Sequence, residues 1–494
     1  MTKYYAGVDS STQSCKVAIF NSNGIPVRQG TAEHPHGTEH DPLLWWDALQ
    51  LAIERAGGLD GVVSIAIGAQ QHGMVLLDKS GHIIRKALLW NDTRSVRAAE
   101  ELIDEWGGQE RYADQLGVVP VSSFTVTKLR WTRDNEPKNV ARTAAVCLPH
   151  DYLTWRLLGY GPANASPRGP DFDALVTDRS DASGTGYWSS ITEEYLLEHF
   201  EKAFGRPARE ASTEQYRADS VVIPRVLAPN EKAGHTLEGI VVGPGLGDNA
   251  GAALGLNLNP SEVVVSIGTS GVVFSSSESK VNDPTGTVAG FADGTGKMLP
   301  LLCTLNGARI LTSALNTLGL SSFSELNALA AKAPPGSQGV TLLPYFEGER
   351  TPNLPKASAS IVGLTLTNAQ AHNIARAHFE GLACSLMDGI QALRTEGVTI
   401  YKVYLIGGAS VNPFLQECIS SVFQLPINIL DTMEYVSRGA AIQAAWVSNG
   451  EKPNWPLEPV ARLLPNGTGR GAQVYNQYCR AKTQYLLQYK AEQK

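Results

Sequence analysis

The chain has 494 residues, 43% apolar and 18% charged, the composition of a globular protein long enough for two or three domains. A formal net charge of −7 argues against a nucleic-acid polyanion as the main partner, though not against small phosphorylated ligands held by local dipoles. Six cysteines stand singly, with no Cys-x-x-Cys pair. Neither a zinc site nor a disulfide framework is indicated, and a reducing cytoplasm suits them. The N-terminus leads straight into a strand-like run without a signal peptide. No apolar run approaches the ~18 residues of a membrane span.

Residues 4–20 read as strand, turn, strand, with the polar turn Asp9-Ser10-Ser11-Thr12-Gln13-Ser14 between Tyr4–Val8 and Cys15–Phe20. Asn21-Ser22-Asn23-Gly24 predicts a hairpin turn into a third strand. Asp41-Pro42 opens a helix carrying Trp45-Trp46, read as helix packing. Val62–Gly68 is a buried strand running into the polar turn Gln70-Gln71-His72-Gly73, followed by a strand from Met74. Ala87–Trp90 reads as a strand, and Asn91-Asp92 as the cap of a helix from Thr93, with Arg94 on its first turn. A mostly helical, loop-rich region continues to about residue 220.

Val241-Val242 is a buried strand that breaks at Gly243-Pro244-Gly245. Asp248-Asn249 then precedes a small-residue helix, Ala250–Leu256. An Asp here is first an N-cap signal. Two adjacent capping residues exceed what one cap needs, and Gly245, Gly247 and Gly251 leave the backbone open to close approach by a ligand. Glu262–Ile267, the turn Gly268-Thr269-Ser270-Gly271 and Val272–Phe274 repeat the opening strand-turn-strand about half a chain later. Helices follow over 321–332 and 369–394. Val403–Ile406 is a buried strand ending at Gly407-Gly408, and helices are expected over 413–423 and 440–446. A polar tail ends in a helix over 475–490.

Hairpin tips of Gly, Ser and Thr present backbone N–H groups and hydroxyls with little bulk, as a phosphate chain requires. Asp9 beside the first tip can hold Mg²⁺ directly or through water. No Walker-type Gly-x-x-x-x-Gly-Lys-Ser/Thr is present, and no Rossmann spacing follows the first strand.

The motifs resemble the FGGY family of carbohydrate kinases. They include Gly7-Val8-Asp9-Ser10-Ser11-Thr12, Gln70-Gln71-His72-Gly73, Leu89-Trp90-Asn91-Asp92, Phe124-Thr125-Val126-Thr127-Lys128 and Ser180-Asp181-Ala182-Ser183-Gly184. In the second half they are Gly247-Asp248-Asn249, Ser266 to Gly271, Gly348-Glu349-Arg350-Thr351-Pro352 and Leu405-Ile406-Gly407-Gly408. Two departures stand out: Ser10-Ser11-Thr12 where the family turn usually carries Gly-Thr, and Ala409-Ser410 where it usually has Gly-Ala. The Gln-x-His-Gly turn followed by Leu-Trp-Asn-Asp favours the family's kinases of D-xylulose over its glycerol kinases.

The resemblance implies an α/β fold of two ribonuclease H-like domains, of the actin and hexokinase ATPase superfamily, flanking a catalytic cleft. The expected divisions are 1–244 (sugar and first phosphate hairpin), 245–455 (base and nucleotide) and a tail, 456–494. It implies ATP-dependent phosphorylation of D-xylulose to D-xylulose 5-phosphate in the cytoplasm, with ATP and Mg²⁺ as cofactors and no nucleic acid or membrane as partner. A homodimer stays open. Asp248 is then the general base, of ordinary carboxylate pKa, and Asp9 acts with Mg²⁺. Gln71, His72 and Asn249 meet the sugar. Ser11, Thr12, Gly268 and Thr269 hold phosphates, and Gly407, Gly408 and Asn412 line the adenosine. Glu349-Arg350 reads as a structural ion pair. The alternatives are a kinase of ribulose, rhamnulose or a tetritol, and an actin- or chaperone-like ATPase switch.

Overall fold

The computed structural model describes residues 3–214, 217–431, 433–465 and 469–492. The chain forms two compact units. The first takes Met1–Leu258, Glu278–Leu299 and Glu434–Pro456, and the second takes Asn259–Ser277, Pro300–Met433 and Leu457–Lys494.

The first unit is built on an antiparallel meander of Tyr4–Ser10, Ser14–Asn21 and Pro26–Glu33. Val62–Ala69 lies parallel to Tyr4–Ser10, and Val241–Val242 lies parallel beyond it. In chain order the sheet reads third, second, first, fourth, fifth. Tyr4–Ser10 and Val62–Ala69 are buried along almost their whole length. Central parallel strands covered on both faces need apolar runs of this kind. Helix Pro42–Arg55 starts where the Asp41 carboxylate accepts from the amide of Leu43, with Pro42 in the first turn. It buries Trp45, Leu49 and Ala52 in the sheet's core.

The second unit repeats the plan. Glu262–Ile267, Gly271–Ser275 and residues 301–304 form the meander. Lys402–Ile406 runs parallel to Glu262–Ile267, with Ile427–Ile429 parallel beyond it and Ala461–Leu463 at the edge. The half-chain echo in the sequence is thus a repeat of strand order, the two ribonuclease H-like α/β units that the motifs imply. The meander's third strand, Met298–Thr304, went unread because Pro300 sits inside it.

Three local readings change. Helix Val96–Trp106 begins later than expected, and Asp92 does not cap it. Buried Asp92 instead accepts from Thr38 Oγ1 at 2.8 Å and pairs with Arg94 at 2.8 Å. The loop-rich region contributes strands Thr143–Cys147, Ala208–Glu210 and Val221–Ile223 to a small sheet with Val75–Asp78. The C-terminal helix is longer than expected, Arg470–Glu492.

Helix Asp248–Gly255 lies in the first unit because it packs on helix Tyr435–Asn449, which returns there from the second half of the chain. The contact is backbone on backbone. A Cβ on Gly439 would fall 1.9 Å from the Gly251 carbonyl oxygen, and one on Gly255 would fall 2.0 Å from that of Tyr435. Gly7 on the first strand meets the same helix, 1.7 Å from Ser437 O by the same measure. Only glycine fits these positions. Among the described residues no helix is long and apolar enough to cross a membrane.

Candidate functional site

The strand pair Val62–Ala69 and Leu246–Gly247 sets the stage in the first unit. They lie parallel, with Gly247 opposite Ala69. The polar turn after Ala69 and the helix after Gly247 therefore start side by side, at the carboxyl ends of neighbouring strands, where open α/β sheets place ligands. Gly247 takes the cap position and offers no side chain, so Asp248 is the first helical residue rather than the cap. Its Oδ1 accepts from the Asn249 backbone N–H at 2.8 Å and from Asn249 Nδ2 at 2.9 Å. Asp248 stays half-buried, and burial pushes its carboxyl up to about 6 against the two Asn249 hydrogen bonds. This differs from the ordinary value expected from sequence, and the reason is the enclosed floor on which the helix starts.

The glycines serve the protein's own packing. A Cβ on Gly247 would sit 2.7 Å from Gln71 Nε2, and Gly251 faces Val436. Gly245 has φ +94 and donates its N–H to buried Gln443 Oε1 at 3.0 Å.

Gln71 is 5% exposed, and both ends of its amide are engaged. Its Oε1 accepts from Asn249 Nδ2 at 3.2 Å, and its Nε2 donates to Ser180 O at 3.4 Å. Ser180 Oγ in turn accepts from Gly247 N at 3.1 Å. A continuous set of hydrogen bonds thus fixes Asp248 through Asn249, Gln71 and Ser180. His72 adopts φ 69, a conformation open to few non-glycine residues. Its Nδ1 lies 2.7 Å from Gly184 O, and its ring stacks on Phe124 with centroids 4.8 Å apart, with Phe291 at 5.8 Å. Sequence reasoning gave no role to Ser180, Phe124 or Phe291. The first two lie inside motifs quoted above, but no spacing rule links them to His72 or Gly247.

Asp9 is the last residue but one of the first strand and 6% exposed. Burial, and then the charge of Asp248, push it up to about 7, while Lys16 pulls it down. Its Oδ1 is buried without a hydrogen-bond partner. A carboxylate oxygen left unsatisfied is costly unless something else fills its place, and it suits a hydrated divalent cation. Ser11 Oγ closes the turn onto Ser14 O at 3.1 Å. Thr12 Oγ1 accepts from Trp90 Nε1 at 2.9 Å and donates to Gln70 Oε1 at 3.3 Å, which ties the first tip to the Gln-Gln-His turn.

The second unit holds the remaining candidates. Gly407 has φ +93, and a Cβ there would lie 2.6 Å from the Ile267 carbonyl oxygen. Gly407 is therefore pressed against the strand end that leads into Gly268 and Thr269. A Cβ on Gly408 would meet open space. Asn412 is engaged within the fold. It caps helix Pro413–Phe423 by accepting from Phe414 and Leu415 at 3.0 Å each, and donates to Asn327 Oδ1 at 3.0 Å.

Two family models cover most of the chain: the N-terminal domain of the FGGY family of carbohydrate kinases matches residues 4–255, and its C-terminal domain matches residues 263–448. The chain is 40% identical over 462 residues to a xylulose kinase of Streptomyces rubiginosus, covering 90% of this chain and 88% of that protein. It is 32% identical to one of Haemophilus influenzae, covering 90% and 91%. The crystal structure of xylulose kinase from Bifidobacterium adolescentis superposes with a TM-score of 0.90 at 42% identity, over 97% of this chain and 99% of that one.

Proposed function

The chain belongs to the FGGY family of carbohydrate kinases, and on that premise we propose that it transfers the terminal phosphoryl group of ATP to O5 of D-xylulose. One observation carries the reading: a carboxylate, Asp248, fixed at a helix start by Asn249 and raised to about 6. A group ionised at neutral pH yet less acidic than a free carboxylate is suited to accept a hydroxyl proton. Phosphoryl transfer has a loose transition state in most analyses, so positioning and charge neutralisation do most of the work.

In this reading Asp248 takes the proton from the sugar hydroxyl. Asn249 holds the carboxylate in place, and Gln71 holds Asn249. His72, braced by Phe124 and Phe291, bounds the sugar. Ser11, Thr12, Gly268 and Thr269 receive phosphate oxygens, and Gly407 and Gly408 the adenosine. Asp9 would hold Mg²⁺ through its unpartnered Oδ1, and the cation would supply neutralisation of phosphate charge. Names given to relatives support the substrate.

The test is a sugar panel with ATP and Mg²⁺, with the phosphate position in the product read by NMR. D-xylulose should give the highest kcat/KM, and D-ribulose a value about 5- to 150-fold lower, because a mismatched hydroxyl leaves buried polar groups unpaired at ~1–3 kcal/mol. Asp248→Asn should lower kcat about 100-fold or more while leaving nucleotide binding in place. Equal rates on the two epimers, or a faster rate on glycerol, would remove the D-xylulose assignment. An Asp248→Asn variant with wild-type turnover would remove the base.

A further inference from the structure

The tip Gly268-Thr269-Ser270-Gly271 is held almost wholly through its backbone, by the segment after residue 303. Gly307 N–H donates to Thr269 O at 3.0 Å, and Ala308 N–H to Gly268 O at 2.8 Å. Gly271 N–H donates to Thr304 Oγ1 at 3.0 Å. The approach is too tight for a side chain: a Cβ on Gly307 would sit 2.6 Å from Ser270 O and 2.7 Å from Gly268 O. Residues 304–308 therefore brace the tip from outside, in addition to its own Gly268 N–H to Ser270 O bond at 3.0 Å.

That segment is in turn gripped by the Gly348-Glu349-Arg350 motif. Glu349 is 1% exposed. Its Oε1 accepts from the N–H of Leu305 at 2.6 Å and of Arg350 at 2.7 Å, and its Oε2 from Asn306 Nδ2 at 3.0 Å. Asn306 Nδ2 also reaches Gly348 O at 2.8 Å, and Arg309 pairs with Glu347. The Arg350 side chain is exposed and its backbone amide is what Glu349 engages, so the ion pair expected within this motif is replaced by an anchor of backbone amides. A buried carboxylate that gathers amides from two segments fixes them relative to one another.

We infer that Glu349 is a positioning residue for nucleotide phosphates, acting through Asn306, Gly307 and Ala308 on the Gly268-Thr269 tip. The inference rests on the reading of that tip as a phosphate site. Glu349 touches no reacting atom. It sets the spacing at which the tip's N–H groups and the Thr269 hydroxyl meet a phosphate chain, and it leaves Gly407 to its own contact with Ile267.

The experiment titrates two probes, the magnesium complex of β,γ-imido-ATP and plain adenosine, against Glu349→Ala, Glu349→Gln, Gly307→Ala and Thr269→Val. Glu349→Ala and Gly307→Ala should weaken the imido-ATP complex by about tenfold or more, since buried amides lose their acceptor or the tip is displaced. Adenosine affinity and the KM for sugar should stay within about twofold. Glu349→Gln keeps Oε1 for the two amides and should fall between Ala and wild type. It also carries the test if Glu349→Ala does not fold. Equal losses for adenosine and imido-ATP would mean general damage to the unit and overturn the proposal. If Thr269→Val weakens imido-ATP while the Glu349 and Gly307 variants do not, the proposal falls and the phosphate reading stands. If none of the four weakens it, both fall.

Discussion

As the proposed base, Asp248 must be ionised before it can accept a proton, and this ties turnover to pH at the scale of one residue. Burial raises its carboxyl to about 6, and the Asn249 backbone and side-chain hydrogen bonds work in the opposite direction by favouring the charged form. The sign follows directly. Above about 6 the base is charged and competent; below it the base is protonated, and kcat/KM should fall about tenfold for each pH unit. Asn249→Ala removes the Nδ2 donor at 2.9 Å and keeps the backbone donor, so the charged form loses support and the acid limb should move to higher pH. A pH–rate profile of both proteins at saturating Mg²⁺ checks this. A limb that stays put in Asn249→Ala would assign it to another group, and Asp9, raised to about 7, is the first candidate. The carboxylates, the turns and their glycines were legible in the sequence because each is a local pattern of residue types. The raised carboxyl of Asp248, the engaged amide of Gln71 and the contact of Asn412 with Asn327 were not, because each depends on partners far along the chain; the cap that Asn412 makes on Phe414 and Leu415 is local. Gln71 and Asn249 are 178 positions apart, and Asn412 and Asn327 are 85 apart.

At the scale of elements, the helix that starts at Asp248 owes its place to a glycine contact. Gly251 and Gly255 on one helix meet Gly439 on the other, with backbone atoms where side chains would otherwise be. Both helices were visible in the sequence as runs of small residues, but their mutual contact was not, because 183 positions separate Gly255 from Arg438. Buried Arg438 completes the joint: its Nη1 donates to Gly255 O and its Nη2 to Trp455 O at 2.7 Å. A cation on the last carbonyls of a helix complements the end opposite the one that carries Asp248. The methyl group of Gly439→Ala has nowhere to go without parting the helices, and overpacking of this kind costs about 1–3 kcal/mol or more. The variant should melt earlier, and because Asp248 moves with its helix it should also lose kcat beyond what its folded fraction accounts for. Thermal melts and kcat measured well below the melting temperature separate the two effects. Wild-type values for both would show that the contact tolerates a side chain and does not set the base.

At the scale of the whole molecule, the two units share a strand order but differ in what closes them. The first is completed by a helix that returns from the far end of the chain, Tyr435–Asn449. The second is completed by the C-terminal helix Arg470–Glu492, which in sequence looked like a polar tail without chemistry. That helix is seated on the second unit's long helix Ala371–Thr395 by polar contacts. Lys482 Nζ and Tyr475 OH both reach Asp388 Oδ1, at 2.6 and 2.7 Å, and Asp388 is only 7% exposed. Gln477 Nε2 donates to Gly336 O at 3.1 Å and to Thr341 Oγ1 at 2.8 Å, and Tyr478 OH lies 3.4 Å from Tyr345 OH. Gly471 lies so close to helix Pro413–Phe423 that a Cβ would fall 1.6 Å from Ser421 O. A chain ending at residue 468 would leave the Asp388 carboxylate without either partner in a site where burial already raises its pKa, and it would uncover Tyr345 and the face of Ala371–Thr395. Removing the partner of a buried charge costs about 3–5 kcal/mol when the site is fully enclosed; Lys482 is partly exposed, so its share is smaller. The lost apolar cover adds to that at ~25 cal/mol per Å². The truncated chain should therefore be poorly soluble or melt well below the full chain, with proteolytic cuts concentrated in residues 300–433 while a fragment that covers 3–299 persists. Lys482→Met should show a milder loss of the same kind. A truncated protein with the full chain's melting temperature, cleavage pattern and turnover would make the helix an appendage, and the second unit would then be complete without it.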